Sequence, residues 1–322
     1  MRKTHIYVLV LITVVCAAVA TIVAVSRTQG ATPDEFFVDR QTQSELAKSW
    51  YPSDAGQLER IAGVSQARWF TDPSSPSASR SDVAAYMTRA SSSHAIPVLT
   101  IYAAPHRDCG GQTAGGAPSV AAYKTWIDAL ARGIQNRTAT VIVEPDGLSQ
   151  TKTCLSASQS ADRVSAISYA VAAMSRMSNV RTYVDIGHSR WLGLPDAVQL
   201  LRQVNVSRIR GFSLNVSNFF TTVEEQAYGE ALAEAVGGDV HYVVDTSRNG
   251  NGPAPASDPQ NWCNPRGRAL GALPTMHTSA AHADAYLWVK HPGESDGACR
   301  PGEPTSGNWF QSWALETINN TK

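Results

Sequence analysis

Ile96-Pro-Val-Leu-Thr-Ile-Tyr-Ala-Ala-Pro-His-Arg-Asp-Cys-Gly-Gly-Gln-Thr-Ala-Gly-Gly116 joins two kinds of sequence. Its first six residues form an apolar run with the character of a buried strand. The remainder is a glycine-rich loop carrying an Arg-Asp pair and a cysteine. A strand that empties into a loop of this kind is where a parallel α/β protein places its ligand. Similar apolar runs recur at Ala67–Phe70, Val98–Tyr102, Thr140–Val143, Arg181–Val184, Gly211–Leu214, His241–Val244 and Ala285–Val289. Amphipathic stretches at Ser44–Ile61, Ser119–Ile134, Ser160–Met177 and Val223–Val236 show helical spacing, with Ser or Thr near their starts as caps. Short, continuous apolar strands alternating with helices mean a parallel sheet covered by helices. Seven of them suit a closed or nearly closed barrel; a doubly wound open sheet is the alternative. Without an internal repeat or a second composition regime, residues 32–322 read as one domain.

Two loops stand out. Asp72–Ser81 is rich in Ser and Pro and reads as a flexible surface loop. Asn249–Asn261, rich in Gly, Pro and Asn, follows a strand end and leads into Trp262-Cys263, which reads as a wall of the cleft.

The chain has 322 residues, 43% of them hydrophobic, enough for a substantial core. Its 27 Lys and Arg balance 27 Asp and Glu, so no global field points to nucleic acid or an anionic membrane. The N-terminus differs from the rest. Arg2 and Lys3 precede an apolar run from Ile6 to Val25 containing Ala18-Val19-Ala20. Residues 1–31 therefore read as an export signal, with an uncleaved anchor through residues 6–25 as the rival. Either reading puts the folded part outside the cell, secreted or held at the outer face of the membrane.

Cys16 lies within that run and reads as a passive apolar residue. Cys109, Cys154, Cys263 and Cys299 remain, an even count that suggests two disulfides with three possible connectivities. Neighbours in sequence are the simplest pairing, Cys109–Cys154 and Cys263–Cys299, each closing a loop worth about 4 kcal/mol in the chain-entropy model. A zinc site is the competing idea, but there is no Cys-x-x-Cys and no clustered pair of histidines. No cofactor or metal is expected.

The polar residues at the strand ends carry the chemistry. The second strand leads to Tyr102, Arg107 and Asp108. The third ends Glu144-Pro-Asp146, the fourth Asp185-Ile-Gly-His188, the fifth at Asn215 and the sixth at Asp245; the seventh leads to Lys290, Glu294 and Asp296. A single Asp there is commonly a helix cap or turn residue, but in a parallel barrel all of these converge on one face. Carboxylates in excess, without metal-ligand spacing or a phosphate loop, suit acid/base chemistry on an uncharged substrate. Glycoside hydrolysis needs one carboxyl kept protonated and others ionised nearby. Like charges close together raise the acid's pKa. Trp69, Trp191 and Trp262 follow the same geography, and flat aromatic faces suit pyranose rings.

At this point the motifs resemble a known family. Tyr102–Gly116 and Val141-Ile-Val-Glu-Pro-Asp-Gly-Leu148 resemble the two signatures of the glycoside hydrolase family 6 cellulases. Asp185-Ile-Gly-His-Ser-Arg-Trp-Leu, Gly211-Phe-Ser-Leu-Asn-Val-Ser-Asn, Asp245-Thr-Ser-Arg-Asn-Gly, Trp262-Cys-Asn-Pro-Arg-Gly-Arg and Trp288-Val-Lys-His-Pro-Gly-Glu-Ser-Asp-Gly extend the likeness. It runs from about Phe36 to the C-terminus.

The resemblance implies a distorted, partly open parallel β/α barrel that hydrolyses β-1,4-glucan with inversion. It implies Asp146 as general acid, Asp108 as the carboxylate that raises the acid's pKa, and Asp296 as base, directly or through relayed water. Tyr102 would lie under the distorted sugar, with Arg107 a partner of the carboxylates. Asp185, His188, Trp191, Asn215, Trp262, Lys290 and Glu294 would contact substrate, and Trp69 would be a stacking platform. The family's disulfides match the pairing above.

Two departures are visible: Gly147 stands where Ser is usual, deleting a hydroxyl beside the acid, and His291 where a small residue or Pro is commoner. Only Gly297 and Ala298 separate Asp296 from Cys299, which favours an open cleft and internal cleavage. No Pro/Thr linker or binding module is seen, which favours soluble or amorphous glucan. The expectation is therefore a monomeric endo-β-1,4-glucanase. The alternatives are an exo-acting cellobiohydrolase or a glucan-binding protein with little turnover.

Overall fold

The computed structural model describes residues 35–322, so the signal or anchor expected in residues 1–31 lies outside the described residues. Seven strands form one sheet in the order of the chain: β1 (Arg68–Phe70), β2 (Val98–Ile101), β3 (Ala139–Val143), β4 (Val180–Asp185), β5 (Gly211–Leu214), β6 (His241–Asp245) and β7 (Ala283–Leu287). Every neighbouring pair is parallel. The sheet curls into a partly open barrel. β1 and β7 share no ladder; Ala67 N–H donates to the Trp288 carbonyl at 2.9 Å across the seam. The doubly wound alternative is excluded by the strand order, which never reverses.

Alternation along the strands divides the core. Leu99 and Ile101, with Val141 and Val143, face outward and pack under the helices. Val98, Ile142, Tyr183 and Val243 face inward and form a smaller cluster inside the barrel with Leu287 and Val289. Buried Thr100, Thr140, Thr182 and Ser213 share the strands with them. Because a strand places successive side chains on opposite faces, a run apolar at every position must be covered on both.

The helices are α1 (Gln43–Trp50), α2 (Ala55–Ala62), α3 (Pro76–Ser92), α4 (Val120–Ile134), α5 (Ala157–Met174), α6 (Leu194–Gln203), α7 (Thr222–Val236) and α8 (Gln311–Asn320). Hydroxyl caps start four of them: Thr42 accepts from Glu45 N–H, Ser119 from Ala122 N–H, Ser156 from Gln159 N–H and Thr221 from Glu224 N–H. The single helical stretch expected over Ser44–Ile61 is broken in two, because Pro52 cannot donate to a preceding carbonyl and the chain makes a short 3-10 turn there. The loop expected over Asp72–Ser81 is also corrected. Its second half is the first turn of α3, with Pro76 at the position where a missing N–H and a preset φ favour a helix start. Trp288 with α1, α2 and α8 forms a third apolar cluster beside the seam.

Among the described residues two disulfides are present, Cys109–Cys154 and Cys263–Cys299. The first joins the loop after β2 to the segment after β3. The second joins the loop after β6 to the loop after β7, so both tie strand-end loops together.

Candidate active site

The loops at the C-terminal ends of the strands enclose a cleft of about 1000 Å³. Of the residues singled out in the sequence, Trp69, Tyr102, Arg107, Asp108, Asp146, His188, Trp191, Trp262, Lys290, Glu294 and Asp296 line it. Pro253, Ala254, Ala256 and Asn261 form part of its wall, as the composition of that loop suggests.

Asp146 is set two residues beyond the strand-end Glu144 by a turn in which both adopt positive φ, 53° at Glu144 and 63° at Asp146. Left-handed backbone at non-glycine residues is uncommon and costs about 1 kcal/mol or more each, so the surroundings must hold it in place. They do. The Glu144 carboxylate is fully enclosed and accepts from Ala103 N–H at 3.0 Å, Ala104 N–H at 2.9 Å and the Tyr123 hydroxyl at 2.8 Å. Asp146 N–H donates to Asp185 at 2.8 Å. The buried guanidinium of Arg163 donates to the carbonyls of Pro105, His106 and Gly147, clamping the β2 loop to the β3 loop. The Asp146 side chain by contrast has an oxygen, Oδ1, that is buried with no partner among the described residues. Burial raises its pKa, the charge of Asp108 adds to the effect and that of Asp296 adds less; Arg163 opposes them, and the result is about 7. A carboxyl of this kind keeps its proton near neutrality and has an oxygen free to use it.

Asp108 lies on the opposite loop, its Oδ2 accepting from Thr113 N–H at 2.7 Å. Asp296 is held differently. Arg248 Nη1 donates to both of its oxygens at 2.8 and 2.9 Å, Asn264 N–H donates at 3.1 Å, and Lys290 Nζ stands 3.6 Å away. The Arg248 side chain is 0% exposed and lies over the rings of Phe219 and Trp313. Three carboxylates thus converge with unequal surroundings: one without a cation on its own oxygens, one capped by backbone and one ion-paired.

The aromatic residues form the cleft's surfaces. Trp69 meets Tyr102 edge-on, with ring centroids 5.4 Å apart, and is anchored by its indole N–H on the Val289 carbonyl. His188 stacks on Phe220 at 4.1 Å and touches Trp191; burial pushes its imidazole down to about 4, so the ring is neutral at physiological pH. The loop bearing His188 and Trp191 is held by Glu225 of α7, which accepts from the Ser189 N–H and hydroxyl. Trp262 stands on the rim, 46% exposed.

Three sequence-based roles change. Asp185 is buried away from the cleft, and its carboxylate is used up by Asp146 N–H, Gly187 N–H and the Ser213 hydroxyl. It orients the turn that carries Asp146 and does not line the cleft. Burial, then the Asp146 charge, raise its pKa far above the usual range. Asn215 is likewise fully buried and bridges the Phe220 and Asp245 carbonyls. Arg107, expected to pair with carboxylates, donates to the carbonyls of Thr71, Tyr102, Thr113 and Ala114 instead. It braces the loop beneath the Tyr102 ring. The ion-pairing role belongs to Arg248, which the sequence reading passed over although it stands three residues past the end of β6.

Comparison with known proteins agrees with this arrangement. The profile of the glycosyl hydrolases family 6 matches residues 31–321. The chain belongs to this family. Endoglucanase A of Cellulomonas fimi is 41% identical over 288 residues, 89% of this chain and 61% of that protein. Endoglucanase 1 of Streptomyces halstedii is 37% identical over 88% of each chain. The chain thus spans about three-fifths of the length of the first of these relatives. Among solved structures, that of the endoglucanase Cel6 from Mycobacterium tuberculosis superposes with a TM-score of 0.86 at 46% identity, covering 89% of this chain and 97% of that one.

Within the family 6 framework, Gly147 takes on a different meaning. A Cβ there would lie 2.8 Å from the Glu144 carbonyl oxygen and 3.0 Å from Ile167 Cδ1. The turn that presents Asp146 closes over this position, so in this chain a side chain there would require the turn or Ile167 to shift.

Proposed function

We propose that this family 6 chain is an inverting endo-β-1,4-glucanase that cleaves internal bonds of cellulose-type glucans. The observation that carries the reading is Asp146: a partly buried carboxyl lining the cleft, its pKa raised to about 7, with one buried oxygen that has no partner among the described residues. It donates its proton to the glycosidic oxygen as the bond to the leaving sugar breaks. Water attacks the opposite face of the ring. Asp108 keeps the proton on Asp146 in the resting state. Asp296, held by Arg248, receives the water's proton, directly or through an intervening water.

A glucan chain is the substrate that fits a groove lined by Trp69, Trp191 and Trp262 together with Lys290 and Glu294. The relative of known structure from Mycobacterium tuberculosis is an endoglucanase in complex with methyl-cellobiosyl-4-deoxy-4-thio-β-D-cellobioside, which supports the same class of ligand here. The short connection from Asp296 to Cys299, tied to Cys263, supports an open groove and internal cleavage. Arg2 and Lys3 followed by the apolar residues 6–25 support an extracellular enzyme, with a cleaved signal or an uncleaved anchor. No helix among the described residues is long and apolar enough to cross a membrane.

The test is hydrolysis of carboxymethyl-cellulose by wild type and Asp146→Asn, with product anomers followed by NMR. Wild type releases the α-anomer and drops viscosity before reducing ends accumulate, and the variant loses at least about a hundredfold in kcat. Undiminished turnover in the variant, or a β-anomeric first product, sinks the assignment.

A further inference from the structure

His291 lies between the loop after β7 and the start of β1. Its Nδ1 is 2.9 Å from Glu294 Oε1 and its Nε2 is 2.5 Å from the Ala67 carbonyl oxygen. A carboxylate and a backbone carbonyl accept hydrogen bonds and cannot donate them. A neutral imidazole has a single N–H, so one of its nitrogens would turn a lone pair on an acceptor oxygen. Only the imidazolium satisfies both neighbours. The side chain is 16% exposed, so water cannot readily substitute for a lost partner.

The groups facing this ring are few. Glu294 and Lys290 come from its own loop; the β1 side contributes the Ala67 carbonyl; and α1 contributes the neutral amide of Gln43, which donates to Glu294 Oε1 at 3.0 Å and to the Gly307 carbonyl. Burial disfavours the charge on His291 and Lys290 opposes it. Glu294 and the Ala67 carbonyl outweigh both, and the imidazole titrates above its ordinary value. Glu294 shows the complement: burial opposes its charge, but His291, Lys290 and Gln43 bring its pKa below the ordinary value. Its carboxylate lines the cleft.

We propose that His291 is a positioning residue whose imidazolium, with Gln43, aims the Glu294 carboxylate at a sugar hydroxyl, so that glucan affinity falls when His291 loses its proton. The proposal rests on the reading of Glu294 as a glucan contact. The sign follows from the geometry and the raised pKa together. The doubly bonded ring persists below the His291 pKa and is lost as pH rises through it. Above that pH the ring has one N–H for two acceptors and no charge, so the carboxylate shares its donor with the Ala67 carbonyl, loses the cation beside it and is held less firmly against substrate.

The experiment measures cellotetraose binding by calorimetry to the full chain carrying Asp146→Asn, at about pH 6 and about pH 9. Four versions are compared: His291 intact, His291→Arg, His291→Gln and Glu294→Gln, each checked by thermal melting. With His291 intact, affinity drops about tenfold between the two pH values, the loss of one charge-assisted bond. His291→Arg keeps both donors at either pH and binds with the same affinity at both, whereas His291→Gln is weak at both. If His291→Arg shows the same alkaline loss as the intact chain, or His291→Gln binds as tightly as the intact chain at pH 6, the positioning role is wrong. If Glu294→Gln alone leaves binding unchanged, the reading of Glu294 as a glucan contact fails, and the two failures are told apart.

Discussion

Replacing Asp108 by Asn isolates one contribution to the acid. The pKa of Asp146 moves from an ordinary 3.8 to about 7. That span of roughly three units corresponds to about 4 kcal/mol against the charged form. Burial is the largest cause, the Asp108 charge the next, and Arg163 works in the other direction. Asp108→Asn removes the charge while its amide oxygen still accepts from Thr113 N–H, so the loop is kept. A neighbouring like charge is worth about one unit, which puts Asp146 near 6 in the variant. At about pH 7 the protonated fraction then falls from about one half to about one tenth, a fivefold loss in kcat/KM. At about pH 5 both enzymes hold the proton, and any remaining difference reports other work done by Asp108. The assay is the pH dependence of kcat/KM on cellohexaose. The alkaline limb should move down by about one pH unit. A limb that stays put, or moves upward, refutes the argument that Asp108 holds the proton on Asp146.

Asp146→Asn should stabilise the fold at neutral and alkaline pH. The folded pKa lies above the unfolded one, so the folded state binds more protons between about 3.8 and about 7 and stability falls as pH rises across that window. The variant has no charge to bury; its Tm should exceed that of wild type at about pH 8 by several degrees and the gain should vanish near pH 4. A variant no more stable than wild type at pH 8 contradicts the burial argument. Gly147→Ser should destabilise by about 1–3 kcal/mol, because its Cβ meets the Glu144 carbonyl and Ile167. Denaturant unfolding reads this directly, and a neutral or stabilising Ser would show that the turn can open.

Much of the architecture was legible because periodicity is local. All seven apolar runs are strands, and the helices over Ser119–Ile134 and Val223–Val236 match α4 and α7 closely. The errors were local too. Pro52 split a helix whose apolar spacing continued on either side of it, and Pro76 began a helix inside a stretch whose composition suggested a loop. In both cases the position of the proline relative to the helix start decided the outcome, which composition does not record.

The strand-end acids show where sequence stops being sufficient. Glu144, Asp185, Asp245 and Asp146 are alike in type and in place along the chain. The first three are turned inward, and each carboxylate receives two or more backbone N–H groups: Asp245 accepts from Ser217, Ser247 and Lys290. They hold the turns; in the proposed mechanism Asp146 is the one that does chemistry. The difference is direction, set by positive φ values and by donors from neighbouring strands.

The chain's own sequence determined a parallel seven-stranded barrel, its ligand-bearing end and the carboxylates from which the acid is drawn, because strand periodicity and motif order are written in consecutive residues. Tertiary structure alone decided which strand-end carboxylate has a buried oxygen without a partner among the described residues, that Arg248 and not Arg107 meets an acid, and that His291 bridges Glu294 and Ala67. Arg248 lies 48 residues from Asp296, and His291 lies 224 residues from Ala67. Burial, charge and hydrogen-bond supply act through space, and only the folded chain brings those partners within reach.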